Sequence, residues 1–236
     1  MEVPIHPSSF EVFVRTIVLD TETTGFTPGV DRIVECAAVV LDAQHRPTDE
    51  IFHSYFNPGR PVGDSERVHG LSDGFLQQHG ASFGASVDAF LTFVRGSRLV
   101  IHNADFDLKM LQAELIQCGR AQSLQSQLGG VVDTLRMPSR VMPDYRGKKS
   151  LDALADHFGV DRSARVRENR HGALMDALIL ADVYAALEKL APVAADDIDA
   201  DTPRRSLIRL PSEAVRRLPV WGVAEPAPGG GVSRRP

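Results

Sequence analysis

Apolar and polar positions alternate along the chain in a way that divides its first 190 residues into strands and helices. Apolar runs near residues 13–20, 32–42 and 48–57 predict three consecutive strands, joined by short turns. Gly25, Pro28 and Gly29 punctuate the first turn, and residues 42–47 the second. Helical spacing is next found near 72–78 and 83–95, then a strand at 98–102. From 105 to 118, Leu108, Leu111, Leu115 and Cys118 recur on one face of a predicted helix. Val131, Val132 and Asp133 read as a last short strand, with Asp133 placed to cap the next helix. Ser150 has the character of an N-cap for a helix ending before Gly159. A final helix is predicted from about 172 to 190, where Ile179, Leu180, Val183, Leu187 and Leu190 build its apolar stripe. Hairpin strands, then strands alternating with helices, predict an α/β fold, a mixed sheet flanked by helices.

Beyond Leu190 the pattern stops. The last 46 residues hold 7 of the 15 prolines, an acidic cluster (Asp196, Asp197, Asp199, Asp201) and a run of three glycines. Such a composition cannot bury enough surface to fold alone. The expected organisation is one domain over residues 1–190 and a flexible tail over 191–236. Within that tail, residues 206–210, Val215, Leu218, Val220 and Trp221, the chain's only Trp, are interleaved with Arg. Apolar and Arg anchors on a flexible segment suit docking to a partner.

Composition narrows the class without naming the chemistry. The chain has 236 residues, 43% of them hydrophobic, and no apolar run long enough to span a membrane. Its beginning lacks the layout of a signal peptide, and Cys36 and Cys118 read as reduced, buried thiols, so the expected location is cytoplasmic. A net charge of −5 argues against a protein that coats DNA indiscriminately. Charge is nonetheless uneven. Residues 136–170 carry nine Lys or Arg against five acids, next to His171. That stretch is either a solvated basic face or a contact for a nucleic-acid backbone.

The hexapeptide from Asp20 to Gly25 (Asp-Thr-Glu-Thr-Thr-Gly) closes the first apolar run. Residues two apart in a strand share a face, so Asp20 and Glu22 aim both carboxylates at one spot. Taken alone, the pair reads more readily as two solvated acids at a strand end. Two further acids at core-facing positions change that reading. Asp107 lies four residues before Leu111 and leans along the apolar stripe, whereas Asp105 projects away from it. Asp176 heads the stripe of the last helix, and ionised acids are rarely buried unless paired or metal-bound. His171, five residues before Asp176, would stand about 140° round a continuous helix, so it reaches the same spot only from the preceding loop. Four carboxylates and a His suit two hard divalent ions, Mg²⁺ or Mn²⁺, with the His as general base.

These blocks resemble those of the DEDDh, or DnaQ-like, 3′–5′ exonucleases. The first block is the hexapeptide. The second is His102-Asn103-Ala104-Asp105-Phe106-Asp107, and the third is His171-Gly-Ala-Leu-Met-Asp176. The resemblance, from about Val14 to Leu190, implies a ribonuclease H-like fold. It also implies metal binding by Asp20, Glu22, Asp107 and Asp176, and proton transfer by His171. Val68-His69-Gly70-Leu71 and Ser150-Leu-Asp-Ala-Leu154 are similar to segments of the epsilon subunits, the proofreading exonucleases of bacterial DNA polymerase III.

That similarity makes Thr23, Phe26 and His69 candidate substrate-binding residues. Thr23 would hold the terminal 3′-hydroxyl through its backbone, and Phe26 would wedge against the last bases, although ordinary packing also accounts for an aromatic there. The implied partners are a single-stranded DNA 3′ end and the polymerase catalytic (alpha) subunit, the latter through the tail. A sliding-clamp motif has no clear match. Two alternatives stay open: an enzyme trimming RNA or short oligonucleotides, and a non-catalytic polymerase-binding subunit.

Overall fold

The computed structural model describes residues 14–168 and 171–191. Its five strands are β1 (Thr16–Thr23), β2 (Ile33–Leu41), β3 (Pro47–Tyr55), β4 (Arg98–Ile101) and β5 (Gly130–Asp133). They form one sheet in the order β3-β2-β1-β4-β5. The first three pair antiparallel as two hairpins, whereas β4 lies parallel to both β1 and β5. This is the mixed sheet expected from the sequence. The helices are α1 (Glu66–His69), α2 (Asp73–His79), α3 (Phe83–Val94), α4 (Ala104–Gln117), α5 (Met137–Val141), α6 (Leu151–Phe158), α7 (Ser163–Glu168) and α8 (Ala173–Glu188).

Strand alternation sorts the core into two layers. Ile17 and Leu19 of β1 pack with Phe90, Val94, Leu111 and Leu115 of α3 and α4 on one face. Val18, with Ala37 and Val39 of β2, packs on the other face against Leu154 of α6 and Ala177, Leu180 and Tyr184 of α8. With both faces covered, every residue of β2 is buried, which explains its continuous apolar reading.

β1 runs three residues further than its predicted end. It continues through Asp20, Thr21, Glu22 and Thr23, paired to β2 in the register Asp20↔Ala37 and Glu22↔Glu35, and shifts register at Glu22/Thr23. The polar tail of β1 is thus held in extended geometry by ladder bonds to a fully buried neighbour. The other boundaries fall close to those predicted. Ser150 caps α6 by accepting from Ala153 N at 3.4 Å, and Gly159 closes it with φ of 66°. Asp133 accepts from the backbone N–H groups of Leu135 and Asn103, both at 3.0 Å, so it ties the end of β5 to the entrance of α4 as well as capping its own turn. Both cysteines are free, Cys36 buried in β2 and Cys118 half-buried at the end of α4. No helix among the described residues is long and apolar enough to cross a membrane.

One buried ion pair fastens α4 to the sheet. Glu114 is almost wholly buried and accepts from Arg32 Nε and Nη2, both at 2.8 Å, and from Ile33 N at 3.1 Å. The fork geometry satisfies both carboxylate oxygens. Arg32→Met should leave that carboxylate buried with only one donor and destabilise the protein by about 3 kcal/mol. Urea unfolding of the two proteins measures the difference. A loss below about 1 kcal/mol would show that water reaches Glu114 readily.

Candidate active site

The four acids singled out in the sequence meet at the mouth of the sheet, where β1 ends beside the first turns of α4 and α8. Glu22 and Asp20 project from β1 towards α8. Asp107 sits in the first turn of α4, only 4% exposed, and accepts from Thr21 Oγ1 at 2.6 Å. Asp105 points outwards instead and pairs with Lys109 Nζ at 2.6 Å, as helical phase requires. Asp176, also 4% exposed, stands in the first turn of α8. Ligand atoms of Glu22, His171 and Asp176 all lie within 4.8 Å of one another.

Burial of this much like charge has a direct electrostatic result. Desolvation, then the carboxylates of Asp107, Asp176, Glu22 and Glu35, push Asp20 well above the usual carboxylate range. By surface area Asp20 is only half-buried, yet protein atoms crowd it closely. Desolvation, then Asp176 and Glu35, raise Glu22 to about 8, against a lowering by Arg165. Desolvation raises Asp107 to about 7, opposed by its hydrogen bond from Thr21.

His171 lies in the loop before α8, where its backbone N–H donates to Val68 O at 2.8 Å. Its Nδ1 is 3.1 Å from Asp176 Oδ2, and a ring proton on Nδ1 directed at that carboxylate would leave Nε2 as the acceptor. Thr23 is half-buried, its hydroxyl donating to Gly25 O at 2.7 Å. A Cβ on Gly25 would come within 2.5 Å of the Asp31 carboxylate, so a larger residue there would push that group off its hydrogen bonds with Thr24 Oγ1 and Thr27 N. On the far side of the turn Phe26 is 87% exposed, its ring centroid 6.1 Å from that of Phe106. Internal packing therefore does not account for Phe26. His69 is placed differently. Its ring is buried, with Nε2 3.0 Å from Ser65 Oγ and Nδ1 accepting from Leu71 N at 3.0 Å. Both nitrogens serve the local loop, and this segment reaches the site through the carbonyl of Val68.

Three site residues lie outside the motif blocks. Glu35, opposite Glu22, accepts from Ala173 N at 3.1 Å and from His53 Nε2 at 2.8 Å, holding the first turn of α8 from the neighbouring strand. Arg165 of α7 enters the carboxylate cluster, its Nη1 2.7 Å from Asp152 Oδ1 and 3.2 Å from Asp176 Oδ1. Asp152, within the Ser150–Leu154 segment similar to the epsilon subunits but outside the three acidic blocks, is the third. Strand pairing of Glu22 and Glu35 is a signal that the sequence could have yielded. Among nine basic residues, nothing in the sequence marked Arg165 as the one turned inwards.

Asp176 Oδ1 is buried without a hydrogen-bond donor, the Arg165 contact having ion-pair distance but not hydrogen-bond alignment. An orphaned carboxylate oxygen beside Glu22 and a His nitrogen is a donor set that fits a divalent cation.

The chain is similar to known proteins. Residues 17–184 match the sequence profile of an exonuclease family. The chain is 43% identical to the DNA polymerase III subunit epsilon of Rickettsia felis over 176 residues, 74% of each chain. It is 40% identical to that of Salmonella typhimurium over 179 residues, covering 73% of this chain and 71% of the relative. It is 38% identical to the epsilon subunit of Escherichia coli K12, again over 179 residues, with the same two coverages. Among solved structures, a zinc-bound complex of Escherichia coli exonuclease I with single-stranded DNA superposes with a TM-score of 0.64 at 18% identity. That match covers 76% of this chain and 41% of the other. An exonuclease X complex with 5′-overhanging duplex DNA gives 0.54 at 20% identity, covering 75% and 92%. With its sheet order, its three acidic segments and these matches taken together, the chain belongs to the exonuclease family, in the branch of the DNA polymerase III epsilon subunits.

Proposed function

We propose that this 3′–5′ exonuclease removes mispaired nucleotides from DNA 3′ ends for a bacterial replicative polymerase. Convergence of Asp20, Glu22, Asp107 and Asp176 from three separated segments on one cleft carries the reading. These four side chains would hold two divalent ions, Mg²⁺ or Mn²⁺. Bound there, the ions supply charge neutralisation for the phosphodiester and acidify the attacking water.

The chain's own groups supply the rest. With Nδ1–H directed at Asp176, His171 Nε2 takes a proton from the water as its oxygen attacks phosphorus. The bond from phosphorus to the 3′-oxygen breaks, the shortened strand keeps that oxygen and gains a proton, and a nucleoside 5′-monophosphate leaves. The Thr23 backbone, at the end of β1, suits the terminal 3′-hydroxyl, and exposed Phe26 offers a ring face to the last base.

The epsilon names of the relatives support a polymerase III partner. We assign its docking to residues 191–236, including Trp221, with residues 1–190 as the exonuclease domain. α8 ends at Glu188 and the family match at 184, in keeping with that division; Trp221 lies outside the described residues.

Digestion of a 3′-mismatched DNA primer beside an RNA of the same sequence, with Mg²⁺ and with chelator, tests the reading. Asp20→Ala and Asp176→Ala should each lose at least about 10²-fold in rate on the primer, because a metal position is emptied. Faster trimming of the RNA would move the enzyme to RNA processing. Asp107→Asn should abolish activity while Asp105→Asn leaves it near wild type, and the reverse ranking would overturn the helical phase assigned to α4.

The pH dependence stems from the raised acids. Glu22 and Asp107 titrate near 8 and 7 in the folded chain but near 4 when unfolded, so the native state binds more protons between those limits. Without metal, stability should therefore be greatest below about pH 4 as far as these two groups decide it, and fall as pH rises towards 8. Divalent ions compete with those protons, so Mg²⁺ should raise the melting temperature more at about pH 8 than at about pH 6. Calorimetric melts in chelator and in Mg²⁺ at both pH values check this. Equal shifts would mean that these carboxylates are already ionised at the lower pH.

A further inference from the structure

The guanidinium of Arg165 stands where the carboxylate cluster needs a cation. Its side chain is buried, and it comes from α7, between α6 and α8. Nη1 bridges Asp152 Oδ1 and Asp176 Oδ1, at 2.7 and 3.2 Å. Nη2 lies 2.5 Å from Nδ1 and 2.6 Å from Nε2 of His171, so the guanidinium sits against the imidazole on one side while the ring stays 46% exposed on the other. Among the described residues, Arg165 is the base that faces both Asp176 and His171. Neighbouring Arg162 is held mainly by Asp156, through Nε at 2.7 Å and Nη2 at 2.8 Å, with its Nη1 also 3.6 Å from Asp152 Oδ1.

A guanidinium in this position offsets part of the repulsion among the acids, and it lowers the proton affinity of Glu22. It also stands in the way of a dication on the same Asp176 oxygen, since like charges a few ångströms apart repel strongly. Asp152 offers the place for it to go. That carboxylate is partly exposed and already holds Nη1, so the guanidinium leaves Asp176 and His171 by pivoting about a contact that it keeps.

Building on the metal-site reading above, we propose that Arg165 is an intramolecular cation of the reaction cycle. It holds Asp176 and His171 while no divalent ion is bound there, and it exchanges with that ion when the site loads. The exchange releases the imidazole from the guanidinium at the moment when the ion arrives. Arg165 acts here as a positioning residue, through Asp176 and His171.

The test is Mn²⁺ titration calorimetry on the full chain at about pH 8, with wild type, Arg165→Met, Arg162→Met and Asp176→Asn. Removing the competing guanidinium should tighten Mn²⁺ binding by about tenfold or more, since apparent affinity is reduced by the fraction of molecules in which the site is occupied. Arg162→Met should bind as wild type, which separates exchange at Asp176 from a general change in surface charge. If Asp176→Asn weakens binding while Arg165→Met leaves it unchanged or weaker, the exchange is overturned and the metal site stands. If Asp176→Asn binds Mn²⁺ like wild type, the metal site falls and the exchange with it. A wild-type measurement guards against an Arg165→Met protein that fails to fold. The Arg165 Nε–H signal in nuclear magnetic resonance should shift with the same Mg²⁺ midpoint as the Asp176 amide, and a signal indifferent to saturating Mg²⁺ overturns the proposal.

Discussion

Mutual repulsion among the carboxylates of Asp20, Glu22, Asp107 and Asp176 is the constraint around which the other contacts are arranged. No single element could hold four such groups together, because each is attached where its own segment would relax away from the others. The fold answers with three independent clamps. Ladder bonds to buried β2 keep Asp20 and Glu22 extended. The Thr21 hydroxyl grips Asp107. Glu35 fixes the first turn of α8, and with it Asp176. Desolvation first, and then repulsion from neighbouring carboxylates, raises the proton affinities of Asp20 and Glu22, and desolvation raises that of Asp107.

Each clamp depends on the layers beneath it. The extended end of β1 survives because its neighbour is buried on both faces, between α3 and α4 on one side and α6 and α8 on the other. α4 is anchored at its far end by the Arg32–Glu114 pair and at its near end by Asn103, whose φ of 67° turns the chain from β4 into the helix. Asparagine tolerates that left-handed conformation better than most residues. A site of such precision therefore rests on contacts some distance from the chemistry.

The strands, the longer helices and the candidate acids were legible because each has a period. Helical phase separated buried Asp107 from exposed Asp105, and the stripe through Leu180 and Leu187 put Asp176 inwards. The extension of β1 past Asp20 was hidden because Thr-Glu-Thr-Thr carries no apolar signal and its extended form comes from pairing with β2. Helices α1, α5 and α7 are too short, at 4, 5 and 6 residues, to show a repeat. Charge count singled out the basic stretch containing Arg162 and Arg165, but the two part ways within one turn of chain, one to Asp156 and one into the cluster. For His69, the motif drew attention to the right segment, whereas the direction of its ring depends on Ser65 and Leu71.

The hydrogen bond from His171 N–H to Val68 O joins two stretches far apart in the chain. The imidazole is thereby indexed to α1 as well as to α8. An insertion or deletion between Val62 and Leu71 would slide that carbonyl and take the ring out of register with Asp176, even with every acid in place. The length of this stretch around α1 is thus under the same constraint as the identity of the residues around the site. Natural variation there should run to substitutions at constant length, with changes of length confined to turns such as residues 42–47, where β2 hands over to β3.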